Sequence, residues 1–172
     1  EREILRESFE VVDAVVVPSG EYRGIDFELE FSSSSNRPLF GEVEIAYGDF
    51  YHGSSIRTEL DLSWRPSKYF QLDSEAGMTL VDLPGEEFEV LTSSVGFRIT
   101  PNTQLSFNSI AQFDNQSKTI GINNRVRYIL KSGCDLFLVL NKGLERTEQK
   151  KHRRFSTFKN EAVAKLGWTF QF

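Results

Sequence analysis

The chain has 172 residues and an acidic balance, 20 Lys+Arg against 25 Asp+Glu, for a formal charge of −5. That is the size of one domain, and the acidic balance argues against a nucleic-acid partner, which would need a net basic face. A single cysteine, Cys134, excludes an internal disulfide framework.

The chain opens Glu-Arg-Glu, with no basic-then-apolar leader, and so reads as a processed or truncated product. No stretch of about 18 apolar residues occurs, which excludes a spanning helix but not a spanning barrel, whose strands are apolar only at alternate positions.

Period-two alternation recurs along almost the whole chain, broken by Pro, Gly, Asn and Ser clusters. It predicts about ten strands, over 9–17, 22–32, 38–50, 54–66, 69–80, 87–99, 103–114, 119–131, 134–144 and 158–172. In 38–50, Val43, Ile45 and Tyr47 oppose Glu42 and Glu44. In 54–66, Ile56, Thr58, Leu60, Leu62 and Trp64 oppose Arg57, Glu59, Asp61, Ser63 and Arg65. In 103–114, Leu105, Phe107 and Phe113 oppose Gln104, Asn108 and Gln112. In 119–131, Ile120, Ile122, Val126, Tyr128 and Leu130 oppose Asn123, Arg125 and Arg127.

Most of these strands are long enough to cross a bilayer when tilted, whereas the usual globular strand has about five or six residues. The connections read as two kinds. Ser67-Lys68, Pro101-Asn102 and Ser132-Gly133 are tight, while Val81–Glu86, Asp114–Lys118 and Leu144–Thr157 are longer and more polar. Short turns at one end and long loops at the other is the outer-membrane arrangement, with the short ones periplasmic. Ten strands would then leave Glu1–Glu7 on the periplasmic side with the C-terminus.

The fold expected is therefore all-β, an antiparallel up-and-down transmembrane barrel, with 1–172 as the C-terminal part of a longer protein. Its polar, charged lumen would hold Glu42, Glu44, Arg57, Glu59, Asp61, Arg65, Asp73, Glu75, Arg98, Arg125 and Arg127, their charges pairing across strands or lining water. The last strand ends Lys165-Leu166-Gly167-Trp168-Thr169-Phe170-Gln171-Phe172. It is similar to the C-terminal assembly signal of outer-membrane barrels, with Lys165, Gly167, Phe170 and Phe172 in the signal positions and an exposed edge for the assembly machinery to pair.

Further stretches carry a wider resemblance: Val17-Pro18-Ser19-Gly20-Glu21-Tyr22-Arg23, Ser35-Asn36-Arg37-Pro38, Tyr51-His52-Gly53 and Arg65-Pro66-Ser67. It continues through Gln112-Phe113-Asp114-Asn115, Asn123-Asn124-Arg125-Val126-Arg127-Tyr128 and Ser132-Gly133-Cys134-Asp135-Leu136-Phe137-Leu138-Val139-Leu140-Asn141. In order and spacing these resemble the C-terminal half of a family of uncharacterised outer-membrane barrels whose members carry an N-terminal domain similar to carbohydrate-binding family 9. The resemblance implies further strands and a sugar-binding-like domain before Glu1. This chain lacks that domain, so no carbohydrate site is assigned to its residues.

Catalysis finds no support. His52 and His152 fall in expected extracellular loops, and neither has a metal-binding context. No Gly-x-Ser-x-Gly elbow or phosphate loop is present, and Ser33–Ser35 reads as a polar turn. The pairs Glu42/Glu44 and Asp73/Glu75 read as ordinary lumen charges, and Cys134 as a tolerated substitution at a turn rather than a reactive thiol. The reading is thus not an enzyme, with no cofactor and no metal.

The basic run Lys150-Lys151-His152-Arg153-Arg154 either meets anionic lipopolysaccharide or is solvated. Expected partners are outer-membrane lipid and lipopolysaccharide, the barrel assembly machinery and the missing N-terminal part. The expected location is the cell outer membrane of a Gram-negative bacterium, and the role structural or porin-like transport or export. The alternative is a soluble lipocalin-like barrel binding a small apolar ligand, in which the two faces exchange places.

Overall fold

The computed structural model describes residues 2–12, 15–149 and 152–169. Among them are thirteen strands and no helix. Nine strands form one antiparallel sheet in strict sequence order. They are β5 (Asp26–Ser32), β6 (Leu39–Phe50), β7 (Gly53–Ser67), β8 (Phe70–Leu83), β9 (Glu86–Ile99), β10 (Leu105–Asp114), β11 (Thr119–Lys131), β12 (Cys134–Gln149) and β13 (His152–Trp168). Each strand from β6 to β13 has between 10 and 17 residues, ample for a tilted crossing of about 9–11 residues. Before them, β1 (Arg2–Leu5) pairs with β4 (Gly20–Arg23), and β2 (Phe9–Val12) pairs with β3 (Val15–Val17).

Every connection in the sheet joins adjacent antiparallel strands, so two ends can be distinguished. The lower end carries 33–38, 68–69, 100–104, 132–133 and the close of β13. The upper end carries 51–52, 84–85, 115–118 and the tip of the β12–β13 hairpin. Local chemistry sets these turns. Gly85 (φ 91°) and Gly133 (φ 75°) occupy the left-handed region that the tight turns need. Asn102 accepts from the backbone N–H groups of Gln104 and Leu105 at 2.9 Å, and Asn115 ties its turn to β9 by accepting from Leu91 N–H at 2.8 Å.

The ten-strand reading is corrected in four places. The span 9–17 is a hairpin of two short strands, and 22–32 divides between β4 and β5 at Gly24-Ile25. The expected loop Val81–Glu86 reduces to Pro84-Gly85, with Leu83 opposite Glu86 and Asp82 opposite Glu87. The expected loop Leu144–Thr157 is largely ladder, from Leu144 opposite Thr157 to Gln149 opposite His152. Charged composition suggested loops there, yet strand pairing uses backbone groups and tolerates any solvated side chain.

Consequently the contrast of short and long connections that set the direction is absent: the lower end holds the longer 33–38 and 100–104 connections. With nine strands in the sheet, β5 starts at the end opposite Trp168. Glu3, in the Glu1–Glu7 stretch expected beside the C-terminus, instead lies beside Tyr51 at the upper end.

Two glycines in the sheet differ in what a side chain would meet. A Cβ on Gly53 would stand 2.0 Å from the carbonyl oxygen of Asp82, whereas one on Gly121 would meet nothing within 4 Å. Gly53→Ala should therefore cost about 1–3 kcal/mol by forcing backbone apart. Gly121→Ala should be neutral or stabilise by about 0.5–1 kcal/mol through lower chain entropy. Urea unfolding of both variants beside the parent measures the difference, and equal midpoints would contradict the packing at Gly53.

Candidate functional site on the charged face

Residues directly opposite in an antiparallel ladder point to the same face, so the register sorts the side chains. One row runs Glu30, Glu44, Glu59 and Gly77; the next runs Ser32, Glu42, Asp61, Glu75 and Ser94. Asp73 follows Ser63, Arg57 stands between Ala46 and Thr79, and Arg98 leads through Asn108 to Arg125, two residues from Arg127. Arg65 sits where the β7–β8 register shifts, yet it lines one depression with Glu42, Asp61, Ser63, Asp73 and Glu75. All eleven residues expected on the charged face are thus brought to one face of the sheet.

Cross-strand pairing of these charges is seen at Arg127, bridged from β11 to Asp135 on β12. Arg57, Arg98, Arg125 and Arg127 stand directly opposite only uncharged residues, while Glu30, Glu44 and Glu59 face one another across the ladder, as do Glu42, Asp61 and Glu75. Like charges directly opposite destabilise a sheet unless solvent screens them, so this wall requires water. The basic groups gather towards β13. Arg127 bridges Asp135 at 2.9 Å, the guanidinium groups of Arg125 and Arg127 lie 4.9 and 5.6 Å from the Phe137 ring centroid, and Arg98 donates to Asn108 at 2.9 Å.

Polar bonds bind the face together. Ser63 donates to Asp73 at 2.7 Å, Gln71 donates to both oxygens of the same carboxylate, and Asn123 donates to Asn141, which donates onward to Glu161. A depression of about 700 Å³ spans β7 to β11, lined by Glu59, Asp61, Glu75, Thr92, Ser94, Gln112 and Asp114 among others. It is open and polar, unlike the mostly apolar clefts that hold small ligands. Among the described residues no group of three or more His, Cys, Asp or Glu side chains could hold a metal ion.

The opposite face is apolar and uncovered. Leu29, Leu39, Ile45, Ile56, Leu62, Leu80, Val95, Leu138, Leu140 and Leu166 are all exposed there. Near its lower end lie Trp64 and Phe70 in edge contact, Phe97 and Phe107 with centroids 5.5 Å apart, Tyr128, and Trp168 beneath the Lys131 ammonium at 4.3 Å. Cys134 is buried opposite Trp168 rather than standing in a turn. Of the expected assembly signal, Lys165 and Gly167 fall on the charged face opposite Phe137 and Asp135. Phe170 and Phe172 lie outside the described residues, as do Lys150 and Lys151 of the basic run, whose remaining members begin β13.

Sequence reasoning missed the upper end of the charged face. Phe50, Val81, Leu83 and Phe88 share that face and pack with Val15, and Val17 is wholly buried. The signal available was the loss of polar residues at positions 81, 83 and 88 while the period of two continued. No protein-family model matches the chain, and neither a curated protein nor a solved structure matches it.

Tyr51 links the N-terminal segment to the sheet. Its ring makes edge contacts with Phe9, Tyr22 and Phe50 at 4.9–5.7 Å. Burial, then the Glu3 charge and the hydrogen bond to Glu3, hold its hydroxyl above the ordinary pKa of 10.0. The neutral phenol is thus favoured by the fold, so its contribution is complete below about pH 10 and is lost as pH rises through the folded value. The difference in 295 nm absorbance titration between the parent and Tyr51→Phe should therefore rise above pH 10. A midpoint at or below 10 would contradict the buried contact.

Proposed function

We propose that the chain is part of an outer-membrane β-barrel, its apolar face set against lipid and its charged face lining a water-filled lumen that passes polar solutes. The observation that carries this is the uncovered apolar face. Nine strands at about 4.8 Å spacing with an apolar band about 25 Å tall amount to on the order of 1,000 Å². The largest apolar patch on a typical soluble monomer reaches about 300–600 Å².

In a soluble lipocalin-like barrel these side chains would line the interior, but the broad depression across five strands opens on the charged side. The aromatic cluster near the lower end, with Lys131 and Lys68 over Trp168 and Tyr69, suits a membrane–water interface, where amphipathic rings collect. With the C-terminal end of β13 taken as periplasmic, the lower end is periplasmic and the upper end extracellular. β5 and β13 are unpaired with each other, so closure takes further antiparallel strands between them. The resemblance to barrels with a sugar-binding-like N-terminal domain suits that arrangement, and any ligand recognition by such a domain lies outside these residues.

Two measurements test the proposal. The protein should fractionate with outer membranes and stay monodisperse only in detergent; a stable water-soluble monomer would sink the membrane reading. Leu62→Arg, on the apolar face, should cost about 2–4 kcal/mol in lipid, whereas Ser63→Arg, beside Asp61 and Asp73, should cost far less. Equal or reversed penalties would mean that the faces are assigned the wrong way round.

A further inference from the structure

The largest departure from polarity on the charged face lies at its upper end. There Phe50, Val81, Leu83 and Phe88 point the same way as Glu59 and Asp61. In an open, wet lumen these side chains would face water at a cost of about 25 cal/mol per Å². They do not: Val81 and Leu83 are each only 3 % exposed, because the β2–β3 hairpin sets Val15 against them.

Tyr51, in the two-residue β6–β7 turn, holds a left-handed φ of 53°, and its ring meets Phe9 and Tyr22 of the N-terminal segment. Gly24-Ile25 is tied back to the sheet rim by reciprocal bonds, Ile25 N–H to the Asp49 carboxylate at 3.0 Å and Asp49 N–H to the Ile25 carbonyl at 3.3 Å. Between segment and rim there remains a cleft of about 210 Å³, lined by Glu3, Asp26, Asp49 and Arg23 with Tyr22 and Tyr51.

We propose that residues 2–12 and 15–23 form an inward-seated constriction at the extracellular mouth of the lumen, setting the size of solute admitted. The inference rests on the membrane reading above. The segment is held by a small apolar patch and a few polar contacts rather than by the nine-stranded ladder, so it can be dislodged without dismantling the sheet.

The whole protein, purified in detergent and reconstituted, provides the test. Single-channel conductance and vesicle swelling with neutral sugars of increasing size would be compared for the parent and Val15→Asp, which drives the hairpin off its apolar seat on Val81 and Leu83. Conductance should rise about twofold or more, and larger sugars should enter. A second variant, Val15→Cys with Val81→Cys and Cys134→Ser, should form a disulfide in the folded protein. Adding Leu83→Asp to it should leave the pore narrow when oxidised and wide after reduction.

If inserted Val15→Asp keeps the parent's conductance and size limit, or the disulfide does not form, the constriction is overturned while the membrane reading stands. If the parent is a water-soluble monomer that forms no pore, both are overturned together.

Discussion

Everything in this molecule depends on the unbroken antiparallel ladder from β5 to β13. Because each strand pairs with its sequence neighbours, the backbone donors and acceptors of seven strands are used on both sides, and only β5 and β13 are left with a free edge. The ladder keeps the side-chain alternation in phase across the whole sheet. Small register shifts at Trp64/Ser67, Ile129/Lys131 and Gly143/Leu144 sit close to strand ends or to the hairpin extension rather than across the middle. One face is therefore mainly apolar, with Asn124, Lys142 and Asn160 among its polar members, and the other mainly charged, with its apolar patch at the upper end.

Among the described residues, that division leaves no conventional core. The few buried apolar residues, Val15, Val17, Ala46, Val81, Leu83 and Cys134, cannot by themselves offset the conformational entropy of ordering so long a chain. Stability must come from the ladder, from cross-strand pairs such as Trp64 with Leu72, and from whatever covers the apolar face. In the membrane reading the covering is lipid, and the like-charge rows on the other side are solvated by lumen water, so the same sheet satisfies two solvents at once.

The charged face is not uniform. Carboxylates dominate β5 to β8, with Arg57 and Arg65 among them, while Arg98, Arg125, Arg127 and Lys165 lie on β9 to β13. Phe137, wedged against two guanidinium groups, gives the basic side a stiff surface. The N-terminal segment adds a second asymmetry, along the strands rather than across them, by closing apolar contacts at the upper end alone.

The sequence by itself determined the all-β class and which residues share a face. A period of two is a local property of the pleat, so the opposition of Leu60 and Leu62 to Glu59 and Asp61 is legible without knowing any partner strand. It also placed the turns at Ser132-Gly133 and near Pro101-Asn102, where Gly and Asn chemistry is local. Register is not local. Only the tertiary structure decided that Glu44 faces Glu59 rather than Arg57, that Leu144 to Gln149 remain paired, and that nine strands rather than ten share the sheet. The hairpin at 9–17 shows the same limit: its run of Val residues reads equally as one spanning strand. Its Val15 packs against Val81 and Leu83, more than sixty residues away along the chain, a contact that no local pattern announces.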